Sequence, residues 1–71
     1  MYFILEIQTA ADGGCRHLIT ARPSRNEAEA EYHRVLAAAA VSPLPLHAAV
    51  VVAADGTPLL HQCYAHEEAE A

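Results

Sequence analysis

Residues 23–43, Pro23-Ser24-Arg25-Asn26-Glu27-Ala28-Glu29-Ala30-Glu31-Tyr32-His33-Arg34-Val35-Leu36-Ala37-Ala38-Ala39-Ala40-Val41-Ser42-Pro43, carry the clearest helical signature in the chain. Ser24 followed three positions later by Glu27, just after Pro23, is a capping box. Ala28, Tyr32, Val35, Leu36 and Ala39 recur at i, i+4, i+7, i+8 and i+11. That is the stripe of a helix laid on a sheet, and it leaves Glu27, Glu31 and Arg34 to water. Glu27, Glu29 and Glu31 lie toward the end where the helix macrodipole favours negative charge. Ser42-Pro43 stops the segment. The spacing predicts a helix over 25–41, about 25 Å long at about 1.5 Å per residue, which matches the length of an eight-residue strand.

Each side of this helix reads as a hairpin. Residues 1–9 are a β-prone run, Ala10-Ala11-Asp12-Gly13-Gly14 supplies a turn that takes positive φ, and Cys15 to Arg22 resumes an extended pattern. Residues 46–54, the turn Asp55-Gly56-Thr57-Pro58 and the run to His66 repeat the arrangement. Ala10-Ala11-Asp12-Gly13 recurs as Ala53-Ala54-Asp55-Gly56, which suggests two hairpins related by a rough internal two-fold. The two most continuous apolar runs, 1–9 and 46–54, belong at the centre, since doubly covered strands lose their alternation. The expectation is an α+β fold: ββαββ, a four-stranded antiparallel sheet of order 2-1-3-4 with one helix on one face. Residues 1–66 form a single domain and 67–71 an acidic C-terminal tail.

Alternation then divides the sheet. Phe3, Leu5, Ile7, Val51 and Leu59 are expected beside the helix, with Tyr2, Ile4, Val50, Val52, Leu60 and Tyr64 on the opposite face. An uncovered face that apolar calls for a partner, so these six residues are the predicted interface of a sheet-to-sheet homodimer or of another protein.

The composition removes other classes. Four Lys+Arg, all arginine, against nine Asp+Glu give a net charge of −5, and nucleic-acid binding, which draws on Lys and Arg, is not expected. Protonating the five histidines would bring the charge to zero, so self-association should change between about pH 7 and 5. The apolar start meets Glu6 before an export-length core accumulates, and 35–54 is interrupted by Ser42, Pro43, Pro45 and His47. Neither export nor a membrane span is expected. Two cysteines are too few for a disulfide-stapled secreted domain, so reduced thiols and a cytoplasmic location follow.

Candidate chemistry is sparse. Cys15-x-His17 and His61-x-Cys63 each place a thiol and an imidazole on one side of a strand, together a Cys2His2 set. In the 2-1-3-4 order they fall on opposite edges, about three spacings of 4.8 Å apart. No metal site is assigned, and no cofactor. Neither cysteine has a base held by a third group, the carboxylates sit on a helix face and in the tail, and Gly13-Gly14 belongs to a hairpin turn rather than a phosphate loop. The chain is therefore read as non-enzymatic, with no catalytic residue. Glu27, Glu31, Glu67 and Glu68 are the residues expected to offer an acidic strip to a basic partner. His33 is placed to pair with Glu29 four residues away.

Met1-Tyr2-Phe3, Glu6-Ile7-Gln8, Asn26-Glu27-Ala28-Glu29, Tyr32-His33 and Leu36-Ala37-Ala38-Ala39-Ala40-Val41-Ser42 with His47 resemble the pattern of short uncharacterised proteins of phages and conjugative elements of gut bacteria. The resemblance implies a mobile-element accessory role, such as a host-directed inhibitor or a small structural component of the particle, and transfers no functional residue. The expected function is a small protein-interaction module, homodimeric and acting on a protein partner still to be identified. The alternative is a small-ligand or metal-binding protein whose pocket forms at a dimer interface from Tyr2, Tyr64 and the histidines.

Overall fold

A computed structural model describes residues 1–66. The element order is β1 (Tyr2–Thr9), β2 (Cys15–Arg22), α1 (Arg25–Ala40), β3 (Leu46–Ala53) and β4 (Pro58–Ala65). The strands form one antiparallel sheet of order β2-β1-β3-β4, as the continuous apolar runs predict. Among the described residues no helix is long and apolar enough to cross a membrane.

The helix begins as its capping residues dictate: the Ser24 hydroxyl accepts the Glu27 backbone N–H at 3.2 Å. Ala28, Tyr32, Val35 and Ala39 of the predicted stripe are buried and Leu36 packs against them. Ala28, Ala39 and Ala49 of β3 are all fully buried, so small side chains let helix and sheet approach closely, and Ile4 and Val51 fill the space between. Burying an aliphatic side chain of this size stabilises by roughly 1.5–3 kcal/mol. At the far end, His66 donates from Nε2 to the Ala39 carbonyl at 2.8 Å, satisfying an end-of-helix acceptor.

The repeated tetrapeptide makes the same turn twice. Gly13 and Gly56 have φ of 92° and 91°, a region that favours glycine. Asp12 accepts from the Gly14 N–H at 2.8 Å, and Asp55 from the Thr57 N–H at 3.0 Å. Offsetting one hairpin by the spacing of these turns makes Glu6 equivalent to Ala49, and those two residues face each other across the central β1–β3 pairing. The internal two-fold therefore runs through that pair. It is broken at the second hairpin's outer strand, where Val51 pairs with Leu60 and Val52 with Pro58, leaving Leu59 as an extra residue packed against the core.

The facing of the strands departs from expectation. Ile4 pairs with Val51, and both are buried beneath α1. Alternation from that pair puts Tyr2, Ile4, Glu6 and Gln8 on the helix side of β1, and Phe3, Leu5 and Ile7 on the open side. Val51 and Leu59 pack toward the helix as expected, and Val50 and Val52 are on the open face. Ile4, Tyr2, Leu60 and Tyr64 are not. Ile4 is 2% exposed in the core, Tyr2 and Leu60 pack against it, and Tyr64 pairs with the buried His47. The reason is Glu6: alternation alone sends a carboxylate to water, but this one has a buried partner forty-one residues away.

Candidate functional site

Two surfaces concentrate the unusual chemistry. The first lies under the helix. Gln8 pairs with His47, and under the internal two-fold this polar pair occupies the positions equivalent to Val51 and Ile4. One half of the inner sheet is thus aliphatic and its symmetry mate is polar. The Glu6 carboxylate accepts from His47 Nε2 at 2.6 Å and from Gln8 Nε2 at 2.9 Å. Burial pushes the Glu6 carboxyl up. The hydrogen bonds from His47 and Gln8, with the charges on His47 and Arg34, outweigh that and hold it below its ordinary 4.5. His47 is 4% exposed, and its Nδ1 is buried without a hydrogen-bond partner.

Beside this pair, over β1 and the β2 edge, runs an open cleft of about 340 Å³ lined by Glu6, Gln8, Cys15, Arg16, His17 and Leu18. His47 does not line it. The imidazole has one nitrogen committed to Glu6 and the other shut away from solvent, so the pair is placed to hold β1 to β3 rather than to exchange protons with a molecule in the cleft.

The second surface is the open face of the sheet. Register and alternation arrange it in four rows across the strands: Ala21-Phe3-Val52-Pro58, Ile19-Leu5-Val50-His61, His17-Ile7-Ala48-Cys63 and Cys15-Thr9-Leu46-Ala65. No Asp, Glu, Lys or Arg is among them. The strands' charged residues, Glu6, Arg16 and Arg22, all point to the helix side. Ile19 is 59% exposed, and among the described residues no second layer covers the face. Cys15, His17, His61 and Cys63 are all exposed and all belong to this face, one thiol–imidazole pair on each edge. Both cysteines are free. Three strand spacings, about 14 Å, separate the edges, whereas a disulfide needs Cα atoms within about 7 Å. Among the described residues no three His, Cys, Asp or Glu side chains converge within one copy.

The expected acidic strip is differently disposed. Glu31 is drawn down between Arg22 at 3.3 Å and Arg34, and its side chain is only 12% exposed. The Arg34 hydrogen bond chiefly holds its carboxyl below the ordinary range, against a smaller opposing effect of burial. Glu27 is exposed, while Glu67 and Glu68 lie outside the described residues. Glu29 pairs with Arg25 at 2.9 Å rather than with His33, whose ring meets Tyr32 edge-on with centroids 5.4 Å apart. Tyr64 is stacked on His66 on the helix side, so it lines no open-face pocket, and neither does Tyr2.

Sequence reasoning passed over Phe3, Leu5 and Ile7 as surface residues, and it did not join Glu6 to His47. A signal for the second was present: His47 is the one polar residue of 46–54, and Glu6 the one charged residue of 1–9. Comparison with protein families, with characterised proteins and with solved structures finds no match to this chain.

Proposed function

We propose that this chain is a non-enzymatic interaction module that works as a homodimer, pairing through the open face of its sheet. The supporting observation is the composition of that face: four rows of side chains with no formally charged residue, centred on Phe3, Leu5, Ile7, Val50 and Val52. A soluble domain seldom leaves so large a contiguous apolar surface to water. Pairing the sheets leaves an α1 helix on each outer side, with Glu27 and the Arg25–Glu29 pair available to a protein partner. An accessory or inhibitor of the kind the resemblance implies would act by occupying such a partner's surface. Free thiols on opposite edges suit a reducing compartment such as the cytoplasm.

Light scattering coupled to size exclusion at about pH 7.5 tests the reading. The wild-type chain should run as a dimer and Leu5→Asp as a folded monomer. A strictly monomeric wild type at high concentration refutes it.

A further inference from the structure

The two hairpins share a turn but end in unlike edges. β4 starts at Pro58, which has no backbone N–H, and is bulged at Leu59. Both features protect a sheet edge from further pairing. β2 has neither: its eight residues, Cys15–Arg22, run in unbroken register against β1. We infer that the β2 edge is a docking site for an extended acidic segment of a partner protein, which joins the sheet as a fifth strand. The site lies beside the open face and does not depend on the homodimer.

The turn fixes which backbone groups of β2 are free. The Ala10 N–H donates to the Gly14 carbonyl at 2.8 Å, so these residues form a hydrogen-bonded pair. Bonded pairs alternate along an antiparallel ladder, which makes Gln8–Arg16, Glu6–Leu18 and Ile4–Thr20 the next ones. The N–H and C=O groups of Cys15, His17, Ile19 and Ala21 therefore point away from β1, and among the described residues no strand lies beyond them. The Arg22 guanidinium donates to the Ala21 carbonyl at 2.9 Å. The others form the row of main-chain donors and acceptors from which strand addition draws its affinity.

Side chains set the partner's chemistry. Cys15, His17, Ile19 and Ala21 lie on the open face, so alternate residues of an added strand continue an apolar surface. The other series meets Arg16, Leu18 and Thr20 on the helix side. Leu18 is 59% exposed. Arg16 lines both the cleft described above and a second one of about 400 Å³ that reaches Asp12 and Leu44. Arg22, Arg25 and Arg34 are each ion-paired to Glu31 or Glu29, whereas Arg16 has no carboxylate partner among the described residues. β2 holds two of the chain's four arginines and none of its nine acidic residues. On a chain of net charge −5 this edge is the local positive stripe, and it favours a carboxylate opposite Arg16. A second β2 edge offers Arg16 no carboxylate in any register, because the strand has none.

Fluorescence anisotropy with a labelled eight-residue peptide of alternating valine and glutamate tests the assignment. The peptide should bind the wild-type chain, and its valine–lysine counterpart should bind at least about 10-fold more weakly. Arg16→Glu, a change at an exposed side chain, should reverse that preference. Only alternate N–H groups of an added strand face the edge. Peptides N-methylated at the valines alone and at the glutamates alone should therefore differ by at least about 10-fold. A methylated pair that binds alike overturns strand addition, and an Arg16→Glu chain that keeps the wild-type preference overturns the acidic assignment. Neutralising the tail with Glu67→Gln, Glu68→Gln and Glu70→Gln should leave the affinity within about threefold. A gain of about 10-fold or more would give the edge to the chain's own tail and overturn the partner. Binding of neither peptide overturns the proposal outright; if Arg16→Glu then shifts the association state in sedimentation, a second copy holds the edge.

Discussion

Removing either partner of the Glu6–His47 hydrogen bond should have unequal consequences. In Glu6→Leu the imidazole of His47, 4% exposed and already carrying an unpartnered Nδ1, loses the acceptor of its Nε2 as well. A hydrogen bond to a charged group contributes about 1.5–3 kcal/mol, and a stranded buried polar group costs about 1–3 kcal/mol. The expected penalty is about 2–3 kcal/mol, a large part of the 4–10 kcal/mol available to so small a domain. In His47→Leu the carboxylate keeps Gln8 at 2.9 Å and is itself 16% exposed, while the orphaned Nδ1 disappears. Gain and loss nearly offset, for a net cost of about 1 kcal/mol. The double variant, apolar on both strands, should also lie within about 1 kcal/mol of wild type, giving a coupling energy of about 2–3 kcal/mol. Urea unfolding of the four proteins, at concentrations where their association states match, measures this. The pH dependence supplies a second readout. The folded Glu6 carboxyl lies below its ordinary 4.5, so its contribution is complete above that value and is lost as pH falls through the lower folded one. Stability of Glu6→Leu should therefore fall less steeply in acid than that of wild type. Additive single penalties, or His47→Leu costing more than Glu6→Leu, would refute the reasoning.

Three further outcomes follow from the geometry. Leu5→Asp should weaken dimerisation by at least about 100-fold, since it removes a buried aliphatic contact and places two carboxylates in the interface, whereas monomer stability should change by less than about 1 kcal/mol; sedimentation equilibrium and thermal melts read the two effects. Gly13→Ala and Gly56→Ala should each cost about 1–2 kcal/mol, because an added Cβ meets nothing within 4 Å and only the positive φ resists it; unequal penalties in urea unfolding would contradict the equivalence of the two turns. Ser24→Ala should cost about 1 kcal/mol by removing the acceptor of the Glu27 N–H, measured in the same assay.

The elements and their order were legible from local signals. Ser24 and Pro43 mark the helix ends, the two Ala-Ala-Asp-Gly turns mark the hairpins, and the continuous apolar runs mark the central strands. Each of these signals lies within a few residues of the structure it specifies, because capping, turn conformation and strand propensity act over that range. The facing of β1 did not follow from local pattern. Phe3, Leu5 and Ile7 alternate with Glu6 and Gln8, and a local reading buries the first set and exposes the second. The folded chain reverses this because His47, forty-one residues on, offsets the cost of burying Glu6, and because the space beneath α1 is filled by Ile4 and Val51 with the alanines of α1 and β3 around them. The candidate interface inherits that reversal. Period-two alternation names two faces without saying which is inner. That choice was made by the partner of one carboxylate and the volume beneath one helix, and both exist only once β1 and β3 have paired.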